Sequence, residues 1–435
     1  MPQHKQRTAL KTPPPNDPYH ILIVNTHSVL NSGDAGIVSA QIQWLKRERA
    51  DVKITLTSRT PKADSAFYRT LGADVIAPPT PSPSLYDNVA VKFTKCIMHF
   101  LNPAKQFVFL KNLCRSDLII SSGGGYFWSH RLIFPGMMFF QNIVPLLAAR
   151  FFRKRIVMFP QSFGPIFNRF GRFLLKIALQ APSMEKIFIR ENRSLVFLNS
   201  MKLKDRSRKT IELCPDMAFL LEAPESPSKD NVHRNAHRPC LAVSVRSWDP
   251  PKPLHAHNKH SRQSDNLESI ERICIGFVES YGGELLVFPQ SRGPGRFEND
   301  RIPARKLMDR LQKKLPSDRL HYIHLEETAP PADVIQIIGR ADCVLAVRFH
   351  SAIFALIQGI PILAVAYQPK SPGIMRQFNL EPFCFDINNL ESNEVEERLK
   401  EIISNREDLE KRIIKQLQII RREINHHLHG ARLFT

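Results

Sequence analysis

Two arginines and a histidine are the residues best placed to do chemistry. Arg246 directly follows the apolar run Leu241–Val245, and Arg348-Phe349-His350 follows Cys343–Val347. Both runs read as buried parallel strands, so these side chains emerge at strand exits. The residues after His350 open a helix, whose N-terminus adds unpaired N–H groups. A guanidinium grips a carboxylate or phosphate through two parallel hydrogen bonds. An imidazole, with an unperturbed pKa of about 6.5, gives or takes a proton near neutrality. Together they describe a cationic pocket for a small anion. Gln290, Asp300, Tyr367 and Lys370 fall in neighbouring strand-exit loops and are expected to complete its wall.

A second set lies in the first half of the chain. Asn31-Ser-Gly-Asp34 follows a strand and precedes a helix. Gly33 permits close backbone approach there, and the helix N-terminus suits an anion. Asp34 either caps that helix or exchanges a proton in the cleft, and the spacing allows both. Gly123-Gly-Gly125 ends another strand. It reads as bare backbone on which a sugar or phosphate rests, or as a tight structural turn. Neither cluster has the G-x-G-x-x-G pattern or the Lys-Ser/Thr of a P-loop, which disfavours those kinds of nucleotide binding. His255, His257 and His260 form an H-x-H-x-x-H run, and His426, His427 and His429 a second cluster, and imidazole as a ligand suits zinc. With no acidic or thiol partner nearby they read as solvated loops, and no metal is expected.

The elements that position these groups alternate regularly. His20–Val24, Val52–Thr57, Asp117–Ser121, Lys154–Phe159 and Lys186–Arg190 read as strands, with a helix from about Ala35 to Arg47. Gln161-Ser-Phe-Gly-Pro165 reads as a loop leading to an amphipathic helix, Ile166 to Gln180. Phe167, Phe170 and Phe173 share one face of that helix, with Arg169, Arg172 and Lys176 elsewhere. An ordinary packed layer is the plainer reading, and a basic helix lying on an anionic membrane is the other. Residues 223–239 are rich in Pro, Ser, Asn, His and charge and read as a linker. The rhythm then restarts. These observations predict an α/β protein with two Rossmann-like domains, 19–222 and 240–388, facing each other across a cleft. Residues 1–18 read as a disordered basic tail. Residues 389–429 read as a helical brace, or as a surface for a second subunit.

Lys and Arg outnumber Asp and Glu by 61 to 41 in 435 residues, a formal charge of +20. Such a field attracts nucleic acid, acidic lipid and small phosphorylated metabolites alike, so charge alone does not choose. Seven scattered cysteines without a C-x-x-C pair argue against a disulfide framework or a zinc site and suit the reducing cytosol. The tail has no apolar core, so it is not read as a secretory signal. Leu132 to Phe152 is the longest apolar stretch, but Pro135, Gln141, Asn142 and Pro145 make it a poor membrane span.

Taken in order, these clusters resemble the polysaccharide pyruvyl transferase family. The family's N-x-G-D appears as Asn31 to Asp34, its glycine-ended strand as Ile119 to Gly125, and its G-P turn as Gly164-Pro165. R-E-x-x-S appears as Arg190 to Ser194, and D-x-A-F as Asp216 to Phe219. Arg246 fills the V-S-V-R slot, and Arg348-Phe349-His350 matches R-L-H with Phe349 where Leu is usual. Gly359-Ile-Pro361, Tyr367 and Lys370 close the pattern, which spans about Ile21 to Leu380.

The resemblance implies a GT-B-like fold, with phosphoenolpyruvate as donor and a sugar of a surface polysaccharide, or its lipid-linked oligosaccharide precursor, as acceptor. It implies a ketal-forming transfer with release of phosphate in cell-envelope exopolysaccharide synthesis. No cofactor beyond the co-substrate is expected, and no nucleic acid partner. The expected location is the cytoplasm, with peripheral contact on the inner face of the plasma membrane. His350 and Arg246 carry over as donor-site residues and Arg348 as a third, while Asp34 as base is inferred from its position. Two rival readings are a GT-B glycosyltransferase using a nucleotide-sugar and a non-catalytic basic protein that binds glycan or membrane.

Overall fold

The structure, a computed structural model, describes residues 18–80, 103–224, 238–247, 259–295, 298–367 and 370–434. Each half of the chain builds a parallel sheet from apolar runs too hydrophobic to leave either face in water. The first sheet holds β1 (His20–Val24), β2 (Lys53–Thr57), β3 (Ala73–Ile76), β4 (Leu118–Ser121), β5 (Gly124–Ser129), β6 (Arg155–Ile166), β7 (Met184–Ile189) and β8 (Ile211–Leu213). In space they run β3, β2, β1, β4, β6, β7, β8, with β5 also paired to β6. The second holds β9 (Cys240–Ser244), β10 (Glu284–Phe288), β11 (Leu320–Tyr322), β12 (Cys343–Ala346), β13 (Ile362–Ala366) and β14 (Cys384–Asp386). Its order is β11, β10, β9, β12, β13, β14. Strand addition reverses between β1 and β4, and again between β9 and β12. Ligands of such sheets collect outside the strand ends at these switch points.

Two apolar cores follow from the alternation of β1. Leu22 and Val24 pack with Ile119 and Ile156 on one face. Ile21 and Ile23 face a core that continues into the second half through Phe219, Phe354, Leu241 and Val243. The halves are therefore welded behind the cleft rather than merely hinged. A short bridge reinforces the weld: Asn31 pairs with Ser291, and the Arg292 amide donates to the Leu30 carbonyl at 2.7 Å. The Arg292 guanidinium donates to Ser32 Oγ at 2.8 Å and to the Ala329 carbonyl at 2.9 Å.

Several expected boundaries shift. β6 runs through Gln161-Ser-Phe-Gly-Pro165, which was expected as a loop, because β5 lies beside it and gives those residues a partner. The helix expected from Ile166 begins at Arg169, where Asn168 Oδ1 accepts the Gly171 amide at 2.6 Å and caps it. The helix after β1 spans Ser32–Glu48, starting at Ser32, with Asn31 as its cap, rather than at about Ala35. The tail, apart from Pro18, and most of the 223–239 linker lie outside the described residues, as do His255, His257 and the His260 side chain. Among the described residues no helix is long and apolar enough to cross a membrane.

At the C-terminus, helices Ser392–Ser404 and Arg406–Gly430 follow one another. The second buries Leu409, Ile413, Leu417, Ile420, Ile424 and Leu428 and returns to the first half of the chain. There Trp44 Nε1 donates to Asn425 Oδ1 at 2.9 Å, and Arg421 Nε donates to the Phe219 carbonyl at 2.8 Å. His427 and His429, expected as solvated loop, are helical. They lie 3.4 Å from Glu212 and 2.9 Å from Glu48.

Candidate active site

The carboxyl ends of β9, β10, β12 and β13 meet the start of helix Ser32–Glu48. Ser244 and Ala346 are ladder partners, so Arg246 and Arg348 leave adjacent strands two residues past a matched pair. Arg246 lies over the Tyr367 ring with its guanidinium carbon 3.9 Å from the centre, a cation–π contact. Arg348 differs from expectation. Its Nε donates to both oxygens of buried Asp300, at 3.0 and 2.8 Å, and its Nη2 donates to the Glu298 carbonyl at 3.3 Å. Asp300 also accepts the Ser291 amide at 2.9 Å. Burial raises the Asp300 pKa while Arg348 opposes that rise. Arg348 and Asp300, both expected on the pocket wall, are thus paired with each other at this turn. Gln290 accepts from Ser351 Oγ at 2.8 Å, and its amide nitrogen is buried with no partner among the described residues. Lys370 opens helix Lys370–Gln377, and its side chain lies outside the described residues.

His350, in the first turn of helix Phe349–Ile357, crosses to the other half. A Cβ added at Gly33 would sit 2.0 Å from His350 Nδ1, so only glycine leaves room for the imidazole. One turn on, a Cβ at Gly36 would sit 3.1 Å from Phe354 Cζ. Two glycines on one helix face therefore receive two side chains four residues apart on the other. Asn31, not Asp34, caps helix Ser32–Glu48, its Oδ1 accepting the Gly33 amide at 3.1 Å. Its Nδ2 donates to Asp34 Oδ2 at 2.6 Å, so both ends of Asn31 are committed.

Asp34 is left to the cleft. It accepts from the Tyr126 hydroxyl, and its other oxygen lies 3.5 Å from His27 Nδ1. Burial pushes its pKa up to about 6, although the Tyr126 hydrogen bond favours the charged form. His27 is held well below its ordinary pKa by burial and by Arg59, so it faces Asp34 as a neutral ring. That ring stacks on Tyr126, centres 5.8 Å apart, and its Nε2 lies 3.7 Å from Glu298. The Arg59 guanidinium lies 5.8 Å from the Tyr126 ring centre and makes no hydrogen bond or ion pair among the described residues. Burial lowers its pKa. A poorly solvated cation beside a carboxyl poised near neutrality can hold an anion while the carboxyl moves a proton.

His27, Arg59 and Tyr126 escaped the sequence reading. The first two follow β1 and β2, and Tyr126 stands on β5 just past the exit of β4. The strand-exit rule that singled out Arg246 would have found them had it been applied to every strand of the first sheet. The glycines read as bare backbone for a ligand, or as a tight turn, are closely packed. A Cβ at Gly123 would lie 2.9 Å from the Pro160 carbonyl. Gly124, at φ +139°, leaves space that the Tyr126 ring fills. Gly125 belongs to β5. Buried Arg190 is paired with Asp216 and donates to Ser162 Oγ at 2.7 Å. Phe349 lies over its guanidinium, 5.0 Å from ring centre to carbon. Beside Arg190 a cavity of about 370 Å³ opens between the halves, lined by Arg193 and Pro215 from one and by Pro372, Arg376 and Gln377 from the other. Among the described residues no three His, Cys, Asp or Glu side chains gather to hold a metal.

Two facing parallel sheets, a site between their strand exits and a C-terminal helix crossing back define a GT-B-like protein. Solved structures agree on the fold. A putative UDP-N-acetylglucosamine 2-epimerase from Listeria monocytogenes has a TM-score of 0.56 at 11% identity, covering 91% of this chain and 90% of its own. UDP-GlcNAc 2-epimerase from Neisseria meningitidis has 0.53 at 11%, covering 92% and 98%. The chain belongs to the polysaccharide pyruvyl transferase family, whose sequence profile matches residues 31–369. It is 24% identical to the amylovoran biosynthesis protein AmsJ of Erwinia amylovora over 92% of this chain and 95% of that protein.

Proposed function

We propose that the protein transfers the pyruvyl group of phosphoenolpyruvate to two hydroxyls of a sugar in a surface polysaccharide or its lipid-linked precursor. The observation that carries this reading is the meeting of His350 with the Asn31–Asp34 turn, beside a carboxyl with a pKa of about 6. Phosphoenolpyruvate is a small polyanion, and Arg246 and Arg59 are the cations assigned to it. Arg348, held by Asp300, acts as a positioning residue that fixes the start of the His350 helix. The cavity beside Arg190 offers room for the acceptor sugar.

The reaction divides into proton transfers these groups suit. One sugar hydroxyl adds across the enol double bond: its oxygen bonds to the central carbon and a proton reaches the methylene, which becomes methyl. The bond from the central carbon to the phosphate oxygen then breaks, and phosphate leaves with both bonding electrons. The second hydroxyl attacks the oxocarbenium carbon, loses its proton and closes the ketal. His350 serves as the acid or steadies the leaving phosphate, and Asp34 takes hydroxyl protons, general catalysis typically worth 10²–10⁴-fold.

Incubation with phosphoenolpyruvate and a panel of nitrophenyl glycosides, followed by mass spectrometry for an added pyruvyl unit, tests the reading. A parallel panel of nucleotide-sugars tests the glycosyltransferase reading. His350→Ala and Arg246→Ala should each lower phosphate release at least about a hundredfold, the scale expected for one general catalyst or charged ligand. Arg59→Ala should mainly raise KM for phosphoenolpyruvate. Turnover near wild type in the His350 and Arg246 variants would remove the assignments.

A further inference from the structure

The first sheet carries an apolar surface that nothing in the described fold covers. Ile133 is 93% and Leu132 77% exposed, and Phe134, Phe167 and Phe173 are each more than half exposed. Phe170 extends the patch, stacking on Phe134 with ring centres 5.7 Å apart. The face of helix Arg169–Leu179 that carries Phe170 and Phe173 therefore points outward, not into a packed layer. Charge accompanies it. From Leu118 to Met184 the chain has eight Lys and Arg and no Asp or Glu. Arg131 and Arg169 are exposed within the patch and make no ion pair among the described residues. A protruding aromatic and aliphatic tip, flanked by Arg131 and Arg169 within a stretch of chain that has no acidic residue, matches an anionic bilayer, where rings enter the interface and guanidinium groups meet headgroups.

The patch also stands at the site's edge of the molecule. β5 and β6 run outward together to the Ser129–Ile166 pair, and the exposed residues lie just beyond. Tyr126, which donates to Asp34, is on the same β5, so Leu132 is at most about 20 Å of chain away. We propose that the 130–134 loop and helix Arg169–Leu179 form a peripheral docking surface for an anionic phospholipid membrane, bringing the cleft to the bilayer surface. Phe167, Phe170 and Phe173 enter the interface, and Arg131 and Arg169 read its charge. This holds whichever substrate the site takes, because binding is measured without one.

The test is co-sedimentation of the full chain with sucrose-loaded vesicles, either pure phosphatidylcholine or a 70:30 mixture with phosphatidylglycerol. Wild type should pellet with the mixed vesicles and at least tenfold less with the neutral ones, and salt should release it. Ile133→Asp/Phe134→Ser and Phe170→Ser/Phe173→Ser should each weaken binding about tenfold or more. Arg131→Glu/Arg169→Glu should abolish the preference for anionic lipid. Unchanged thermal unfolding of these surface variants would show the loss is one of binding. Wild type remaining in the supernatant with both vesicles, or variants binding as wild type does, would overturn the proposal. So would a wild-type dimer that the Ile133→Asp/Phe134→Ser change converts to monomer, since the patch would then belong to a second copy of the chain.

Discussion

Asp34 shows how one buried carboxyl links stability to function. Its ordinary pKa of 3.8 is raised to about 6 by burial, so the folded chain takes up a proton over that range. A group of this kind lowers stability as pH rises from about 4 to about 6, and the cost stays constant above. The shift corresponds to about 3 kcal/mol. Asp34→Asn removes the charge, and its amide oxygen can still accept from Asn31 Nδ2 while its nitrogen donates to the Tyr126 hydroxyl oxygen. It should therefore raise the unfolding midpoint at pH 8, lose that advantage by pH 4, and abolish an acid limb near pH 6 in kcat/KM. Unfolding followed at both pH values, with a pH–rate profile, checks all three. Phe349, beside His350, has a local role of its own: its ring covers the guanidinium of buried Arg190.

At the scale of elements, the site depends on two helices meeting where neither has side chains to spare. Gly33 and Gly36 admit His350 and Phe354, and the bridge from Asn31 to Ser291 sets the register of that contact. Gly33→Ala places a methyl where the imidazole lies. Because Gly33 is helical, the substitution suits the local backbone. Activity should fall at least about tenfold through displacement of His350, with a stability loss of about 1–3 kcal/mol, because the His350 Cβ too would lie only 2.6 Å from the new methyl. Phosphate release set beside thermal unfolding separates these effects, and a Gly33→Ala enzyme with full activity would refute the contact's importance. Arg348 and Asp300 belong to this scale too. Their ion pair secures the strand-to-helix turn from which His350 projects.

Across the whole molecule, the C-terminal helix joins the halves. Arg421 donates to the carbonyls of Phe219 and Leu221, where the first half ends, while the same helix buries Leu417, Ile420 and Ile424. Arg421→Met leaves two sheltered carbonyls without their donor and should cost about 1–3 kcal/mol. That loss would appear as a lower denaturant midpoint, and no change would show that water satisfies those carbonyls. Tyr19 adds a tie from the start of the fold, donating to the Leu433 carbonyl at 2.9 Å.

Taken alone, the amino-acid order determined the two parallel sheets, because runs such as Leu118–Ser121 and Leu241–Val245 are too uniformly apolar to be anything but strands covered on both faces. It also pointed to Arg246 and His350, since a charged residue directly after such a run must leave at the sheet's edge. It did not reveal which charges would be spent on each other. Arg348 and Asp300 are 48 residues apart, and only their convergence on one turn turns two expected ligands into an ion pair. Nor did it show that Gly33 exists for His350, a contact across more than three hundred residues, or that Phe170 and Phe173 face outward. Periodicity marks a stripe along a helix, but whether a core or open space meets that stripe is decided by neighbours brought in from elsewhere in the chain.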